Sequence, residues 1–303
     1  MEMKYDKING SVGFRESDHY YGNLNDESIK YISVTTLIGK YEPEFDKEFV
    51  SKYKALERLI PTTQWKKDKG SIWKAHKIPE EYLEVNEITN EQLNKTQQDI
   101  LDEWEKINKE SCERGTKIHS QLENSFYNAG SNITLKKFGI GGKFECKKNY
   151  NELDLEYGIY PEYLIYYDNP KLDLHIAGQI DLLVKNNNEI SIIDHKTNKK
   201  IDTKGFYNSS SRTTEKLKYP LTSLDNCNFN VYQLQLSTYA WIIQKINPNF
   251  IIKDLILNHY DHDGNNTLYR CSYLKDDVEK MLKHFAKQQK LEKQKAKYAR
   301  IEY

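Results

Sequence analysis

The chain has 303 residues, 38% of them hydrophobic and 30% charged, enough to bury a full core with or without a helical annex. Its 45 basic and 45 acidic residues cancel, so bulk charge announces no nucleic-acid partner, and no run approaches the apolar length of a membrane span. The N-terminus lacks the apolar centre of a secretory signal, and Cys112, Cys146, Cys227 and Cys271 are too scattered for a closely spaced zinc or iron–sulfur site, which leaves free thiols in a reducing cytoplasm as the expectation.

In chain order, the first hundred residues read as mainly helical and irregular. Ser33-Val34-Thr35-Thr36-Leu37-Ile38 is a short β-branched run ending near Gly39, and 44–60 alternates charged and apolar positions at helical spacing. Segment 62–90 is polar, holds Trp65 and Trp73, and reads as loop with short helices. A longer helix is predicted from about Glu91 to Asn128, on Ile100, Leu101, Trp104 and Ile107 and then Ile118, Leu122 and Phe126, with Ala129-Gly130-Ser131-Asn132 as its stop. Strands follow at Tyr160 to Tyr167, Leu174 to Val184 and Glu189 to Ile193. Residues 203–230, with Ser209-Ser210-Ser211 inside, read as loop, and Val231 to Ile246 as a buried helix. Two more strands, Ile251–Tyr260 and Thr267–Tyr273, flank a turn at Asp261-His262-Asp263-Gly264, and a basic helix closes the chain.

The segment that carries chemistry is Ala177-Gly178-Gln179-Ile180-Asp181, then Asn186-Asn187-Asn188, then Ile192-Ile193-Asp194-His195-Lys196. A two-residue turn at Asn187-Asn188 pairs Asn186 with Glu189, and counting outward sets Asp181 opposite Asp194. Opposed residues share a face at about 4.5–5.5 Å between Cβ atoms, and two like charges there need a neutralising partner. Hard oxygen ligands suit a divalent cation such as magnesium. Strand periodicity returns Lys196 to the face of Asp194, while His195 points away and offers only its backbone carbonyl. A carboxylate pair for metal, with an ammonium beside it, is equipment for phosphodiester hydrolysis. The plain alternative is a surface hairpin with ordinary charges, which the apolar neighbours on both sides argue against.

Asp181 followed by Asp194-x-Lys196 resembles the PD-(D/E)xK nuclease signature. Three further features are similar to its RecB-like branch: Arg114-Gly115-Thr116-Lys117-Ile118-His119, like the upstream Gly-Thr-x-x-His helix; Glu162 in Pro161-Glu162-Tyr163, like the acid on the preceding strand; and Gln235-Leu236-Ser237-Thr238-Tyr239, like the Q-x-x-x-Y helix. The resemblance implies that Asp181, Asp194, Lys196, Gln235 and Tyr239 are catalytic, and that His119, Asp181, Asp194, the His195 carbonyl and Glu162 hold one or two Mg2+ or Mn2+ ions. Each borrowed residue also has a plainer role: His119 with Glu123 as a surface i, i+4 pair, Glu162 as an edge-strand carboxylate, Gln235 with Tyr239 as a polar core pair. The Ser33-Val34-Thr35-Thr36 start resembles that of phage-borne relatives and of mitochondrial genome maintenance exonuclease, a group that cuts single-stranded DNA from ends. The cysteines do not fit the iron–sulfur cluster of some RecB-like relatives, and none is expected.

The resemblance implies a restriction-endonuclease-like α/β core, a mixed sheet flanked by helices. The expected layout is a helical N-terminal lobe over 1–108 packed on the core, a nuclease core over 109–278 and a basic C-terminal helix over 279–303. The expected activity is a metal-dependent deoxyribonuclease, an exonuclease on single-stranded or open-ended DNA in the cytoplasm, of a bacterial host if phage-borne. A structure-specific endonuclease and a catalytically silent DNA-binding or assembly module are the alternatives. Lys136, Lys137 and Lys143 sit among glycines that permit close approach to phosphate, and Trp65 and Trp73 are candidates for stacking on bases. The Lys280 to Arg300 stretch is basic but reads first as a solvated helix face.

Overall fold

The computed structural model describes residues 5–148, 155–208 and 212–299; Ser209-Ser210-Ser211 and Arg300 lie outside them. Two compact units divide the chain, Met1–Pro43 with Lys117–Tyr303, and Glu44–Thr116. The first 43 residues therefore group with the sheet and not with the helical stretch that follows.

Where helix and coil were expected, the chain opens as a three-stranded antiparallel meander, β1 (Lys7–Asn9), β2 (Val12–Arg15) and β3 (Tyr20–Asn23). Gly10, at φ +55°, begins the two-residue β1–β2 turn, and Val12, Phe14 and Tyr21 supply the buried face. Strands of three and four residues are too short for hydrophobic periodicity to reveal.

The β-branched run splits. Ile32–Ser33 form β4, and Val34–Gly39 form helix α1. The Ser33 hydroxyl accepts from the Thr36 amide at 3.0 Å, capping the helix, and Val34, Leu37 and Ile38 are buried at i, i+3 and i+4. Cap and helical stripe together outweigh β-branched propensity.

Helix α2 (Lys47–Leu59) is capped by Asp46, whose carboxylate accepts from the Phe49 amide at 2.8 Å. Then come α3 (Thr62–Ala75) and α4 (Glu80–Val85), so segment 62–90 holds a four-turn helix where loop with short helices was expected. Helix α5 (Asn90–Ala129) begins with a reciprocal cap: the Gln92 amide donates to Thr89 Oγ1 at 3.1 Å, and the Thr89 amide to Gln92 Oε1 at 2.9 Å. Gly130, at φ +64°, stops it where the sequence placed the stop. Within the Glu44–Thr116 unit, Phe49, Leu56, Trp65, Ile72, Leu83 and Ile100 build a separate apolar core.

The remaining elements are β5 (Ile133–Leu135), β6 (Ile140–Phe144), β7 (Gly158–Asn169), β8 (Leu174–Asn186), β9 (Glu189–Lys196), the short pair β10 (Tyr207–Asn208) and β11 (Thr213–Thr214), α6 (Asn228–Ile246), β12 (Ile251–Tyr260), β13 (Asn266–Cys271) and α7 (Lys275–Ala299). Six strands form a mixed sheet in the order β13-β12-β9-β8-β4, with β7 also paired to β8. The β12–β9 and β4–β8 pairs are parallel and the rest antiparallel. One face buries Leu183, Ile192 and Leu257 with α1, α6 and α7. The other buries Leu182, Val184 and Ile193 under the β5–β6 hairpin and Phe126 of α5. Among the described residues, no helix is long and apolar enough to cross a membrane.

What positions the site is a fork in this sheet. β7 pairs along nearly the whole of β8, so β9 and β4 share the other edge: β9 takes 182–186 and β4 takes 176–177. Among the described residues, 178–181 between them have no strand neighbour on that side. The side-chain alternation also breaks here. Ile180 and Leu183 on β8, and Tyr160 and Tyr163 on β7, pack in one core cluster although each pair is three positions apart, an odd step. Register is nevertheless unbroken, Pro161 with Leu182 and Tyr163 with Ile180, so both strands switch face together at Glu162 and Asp181.

Candidate active site

The hairpin register is the one counted from sequence. Asn187 carries the positive φ of the turn, +52°, and Asn186 pairs with Glu189. The ladder ends at Leu182–Ile193, one step before Asp181 and Asp194. There the Asp181 side chain replaces the lost ladder bond, its Oδ2 accepting from the His195 amide at 2.6 Å.

The residue opposite Asp181 on β7 is Glu162, at φ +48° in the midst of a strand. A non-glycine residue in the left-handed region is strained by about 1–3 kcal/mol. Here that geometry aims the carboxylate at a helix: Glu162 Oε1 lies 3.8 Å, and Asp181 Oδ2 3.5 Å, from Nδ1 of His119 on α5. Donor atoms of His119, Glu162 and Asp181 all lie within 4.8 Å of one another.

His119 Nε2 is 3.1 Å from the His195 carbonyl oxygen, an acceptor, so that nitrogen carries the hydrogen. Neutral His119 then turns the lone pair of Nδ1 toward two carboxylates, an arrangement that demands a proton or a cation between them. Burial pulls the imidazole pKa down, but Asp181 and Glu162 outweigh it and raise it to about 9. Burial, and next the charge of Asp194, hold the Asp181 carboxyl well above the usual range. Two carboxylates and one imidazole nitrogen in a half-buried pocket fit Mg2+ or Mn2+.

Asp194 stands outside that close trio. It faces α6, only 2% exposed, with its Oδ2 2.7 Å from Lys196 Nζ and its Oδ1 accepting from Gln235 Nε2 at 3.2 Å. Lys196 also donates to Gln235 Oε1 at 3.2 Å, and Gln235 Nε2 to the Tyr239 hydroxyl at 3.2 Å. Gln235 thus satisfies both of its ends between Asp194 and Lys196. Burial pulls the Lys196 pKa down, but Asp194 and Asp181 outweigh it and keep the ammonium charged above its ordinary range.

The aromatic ring of Tyr239 lies on Gly178, in the stretch of β8 that pairs with β7 alone, and a Cβ on that glycine would come within 2.7 Å of Cε1. Glycine is required there by contact, not by backbone angle. Burial first, then the charges of His119, Lys137 and Lys196, depress the His195 imidazole to about 3, and its Nδ1 meets Asn258 Nδ2 at 2.9 Å. The His195 ring is a neutral core group, as its position on the opposite face implied. Its carbonyl, expected to face metal, lies 3.1 Å from His119 Nε2.

Two residues of this centre escaped sequence reading. Tyr232 places its ring 4.5 Å from Lys196 Nζ; standing three residues before Gln235 on α6, it could have been found by helical spacing. Lys7, on β1, lies 3.9 Å from Glu162 Oε2 and 3.5 Å from Glu123 Oε1, and nothing local points to it. Of the proposed DNA contacts, Lys136, Lys137 and Lys143 are exposed on the β5–β6 hairpin. Trp65 is corrected: at 3% exposure it packs on Tyr53, ring centroids 4.7 Å apart, and cannot stack on a base. Trp73 is 38% exposed, its ring packed against Tyr53 and Phe49.

A search of curated proteins finds no match. Among solved structures the chain is similar to one from Eubacterium rectale described as a "putative exonuclease", at 11% identity, 85% coverage of this chain, 79% of that one and a TM-score of 0.32. A likeness that distant adds nothing to the assignment, which rests on the family match. The sequence matches the family model of the PD-(D/E)XK nuclease superfamily over residues 52–301, most of its length. The chain belongs to the PD-(D/E)XK nuclease superfamily.

Proposed function

We propose that this chain is a divalent-metal-dependent deoxyribonuclease of the RecB-like branch, acting in the cytoplasm on single-stranded or open-ended DNA. The observation that carries the reading is the juxtaposition of two devices at one fork in the sheet: the trio His119, Glu162 and Asp181 within 4.8 Å, and Lys196 held at 2.7 Å by Asp194. Mg2+ or Mn2+ bound by the trio, with Asp194 beside it, would supply Lewis-acid activation of a phosphodiester and its attacking water.

The chain's own residues do the rest. Lys196 presents a charged ammonium fixed by Asp194 and Gln235, a preorganised positive group for charge that develops on the phosphate. Gln235 locks Lys196 and Asp194 into one geometry, and Tyr239 packs the fork shut beside Gly178. The exposed lysines Lys136, Lys137 and Lys143 supply phosphate contacts without base readout. A DNA-binding module without turnover has no use for a lysine–aspartate pair held this closely beside a histidine and two carboxylates.

The test is a digest of linear single-stranded, linear duplex and circular single-stranded DNA of one sequence, with and without Mg2+ and Mn2+. Metal-dependent loss of the linear strand with sparing of the circle is expected. Equal cutting of the circle would convert the reading to an endonuclease, and no cutting by active-site-intact protein would convert it to a binding module.

A further inference from the structure

Among the described residues, Lys7 is the cation of the N-terminal meander that reaches this centre, and its surroundings are specific. Its ammonium is 3.5 Å from Glu123 Oε1 and 3.9 Å from Glu162 Oε2. Glu162 is shared: its other oxygen, Oε1, faces His119 Nδ1 at 3.8 Å. Three elements distant in sequence meet there, β1, α5 and β7, and Glu123 follows His119 by one helical turn, on the same face.

The lysine is held in place. Two residues along β1, Asn9 is 2% exposed and donates through Nδ2 to the Leu164 carbonyl on β7 at 2.7 Å. That bond fixes the register of β1 against the strand that carries Glu162. Strand periodicity sets Lys7 and Asn9 on one face.

Among the described residues, the carboxylates Glu123, Glu162, Asp181 and Asp194 surround the centre, against the ammoniums of Lys7 and Lys196. Lys7 is the ammonium that Glu123 and Glu162 share; without it these two carboxylates lose that common cation.

Resting on the metal-dependent reading above, we propose that Lys7 is a built-in cation: it stands where a second divalent ion would bridge Glu123 and Glu162, and so holds the centre to one metal. Lys7 is a positioning residue, acting through Glu162 on the cation that Glu162 helps to bind.

The experiment counts bound Mn2+ by equilibrium dialysis with electron paramagnetic resonance of the free ion, on the full chain and on Lys7→Gln, Lys7→Arg and the double variant Lys7→Gln/Glu123→Gln. The expected result is one Mn2+ for the unmodified protein, two for Lys7→Gln, and one again for both Lys7→Arg and the double variant. Coupled Mn2+ pairs in the spectrum of bound ion should accompany the second equivalent. One Mn2+ in all four proteins, or two in the unmodified protein, overturns the proposal for Lys7 while leaving the metal-dependent reading intact. No Mn2+ in any protein, with fold verified by circular dichroism, overturns that reading and the proposal with it. A merely structural Lys7 would change stability in Lys7→Gln without changing the count, and that outcome also defeats the proposal.

Discussion

The two halves of the centre are built on opposite principles. Around Asp194 every charge is answered within the protein: Lys196 at 2.7 Å, then Gln235 bridging to Tyr239. Around Asp181 the charges are answered only in part, with Lys7 3.9 Å from Glu162. Asp181, Glu162 and the Nδ1 of His119 converge, with a backbone strained at Glu162. The first half is preorganised and complete, so its job is to hold an ammonium still. On the metal-dependent reading proposed above, the second half is destabilised alone and gains when a cation arrives. The difference teaches which half folding finishes and which half ligand binding finishes.

The largest contrast should come from mutating one member of each half. Lys196→Ala leaves the buried Asp194 without its counter-ion, so it should lose roughly a hundred-fold or more in kcat and also about 3–5 kcal/mol of stability. Asp181→Asn should lose cleavage at least as completely while its melting temperature without metal stays level or rises, since it removes repulsion with Glu162 and Asp194. Nuclease rates and thermal melts of both purified variants check this; a large loss of stability in Asp181→Asn would erase the distinction between the halves.

Metal and pH should act on the second half alone. Saturating Mn2+, at about a hundred times its dissociation constant, should stabilise the unmodified protein by about 2.7 kcal/mol and leave Asp181→Asn unmoved. Without metal, His119 holds a pKa of about 9 against 6.5 as the ordinary value. The folded state therefore binds more protons than the unfolded state between these values. Its contribution to stability is full below about pH 6.5 and is lost as pH rises through 9. The raised Asp181 carboxyl has the same sign, folded protein retaining a proton that the unfolded chain has released. Melts in chelator from about pH 6 to about 9.5 should fall with pH for the unmodified protein, less steeply for His119→Gln. Apparent Mn2+ affinity should rise over the same range, because the ion displaces those protons.

A smaller effect is expected at the contact that closes the fork. Gly178→Ala puts a Cβ 2.7 Å from the Tyr239 ring, an overpacking cost of about 1–3 kcal/mol. If Tyr239 yields, Gln235 loses its hydroxyl partner and kcat falls with stability. Tyr239→Phe keeps the ring on Gly178 and removes only the hydroxyl, so it should lower the rate without the packing cost, which separates the packing from the hydrogen bond.

The smallest expected change in stability is at Glu162. Asparagine tolerates its left-handed backbone better, so Glu162→Asn should gain up to about 1 kcal/mol while metal affinity drops. Calorimetry with a Mn2+ titration reads both. A loss of stability would mean that the strain is not stored at this residue.

Much of the first half was legible in the sequence alone. The register that runs to Leu182 and Ile193, one step before Asp181 and Asp194, follows from a two-residue Asn turn, and the return of Lys196 to the Asp194 face from strand period. Gln235 and Tyr239 share a face by helical spacing, and α5 ends at the glycine that signals a stop. Each rests on contacts a few residues apart along the chain. The meander of β1 to β3 was not legible, because its strands are shorter than the window in which alternation can be recognised. Trp65 was misread because a polar segment can still supply one buried anchor to a helical core.

Local rules of turn, cap and period thus determined the hairpin and the faces of Asp194 and Lys196, since a two-residue turn admits one register, but not the face of Asp181. They could not reveal the fork, the face switch at Glu162 and Asp181, or Lys7 beside Glu162. These arise where β4 and β9 divide one edge of β8 and where Asn9 ties β1 to β7, contacts between segments far apart along the chain, 155 residues in the case of Asn9 and Leu164. Which side chain meets which across such distances depends on how complete surfaces pack, and no window along the chain contains that information.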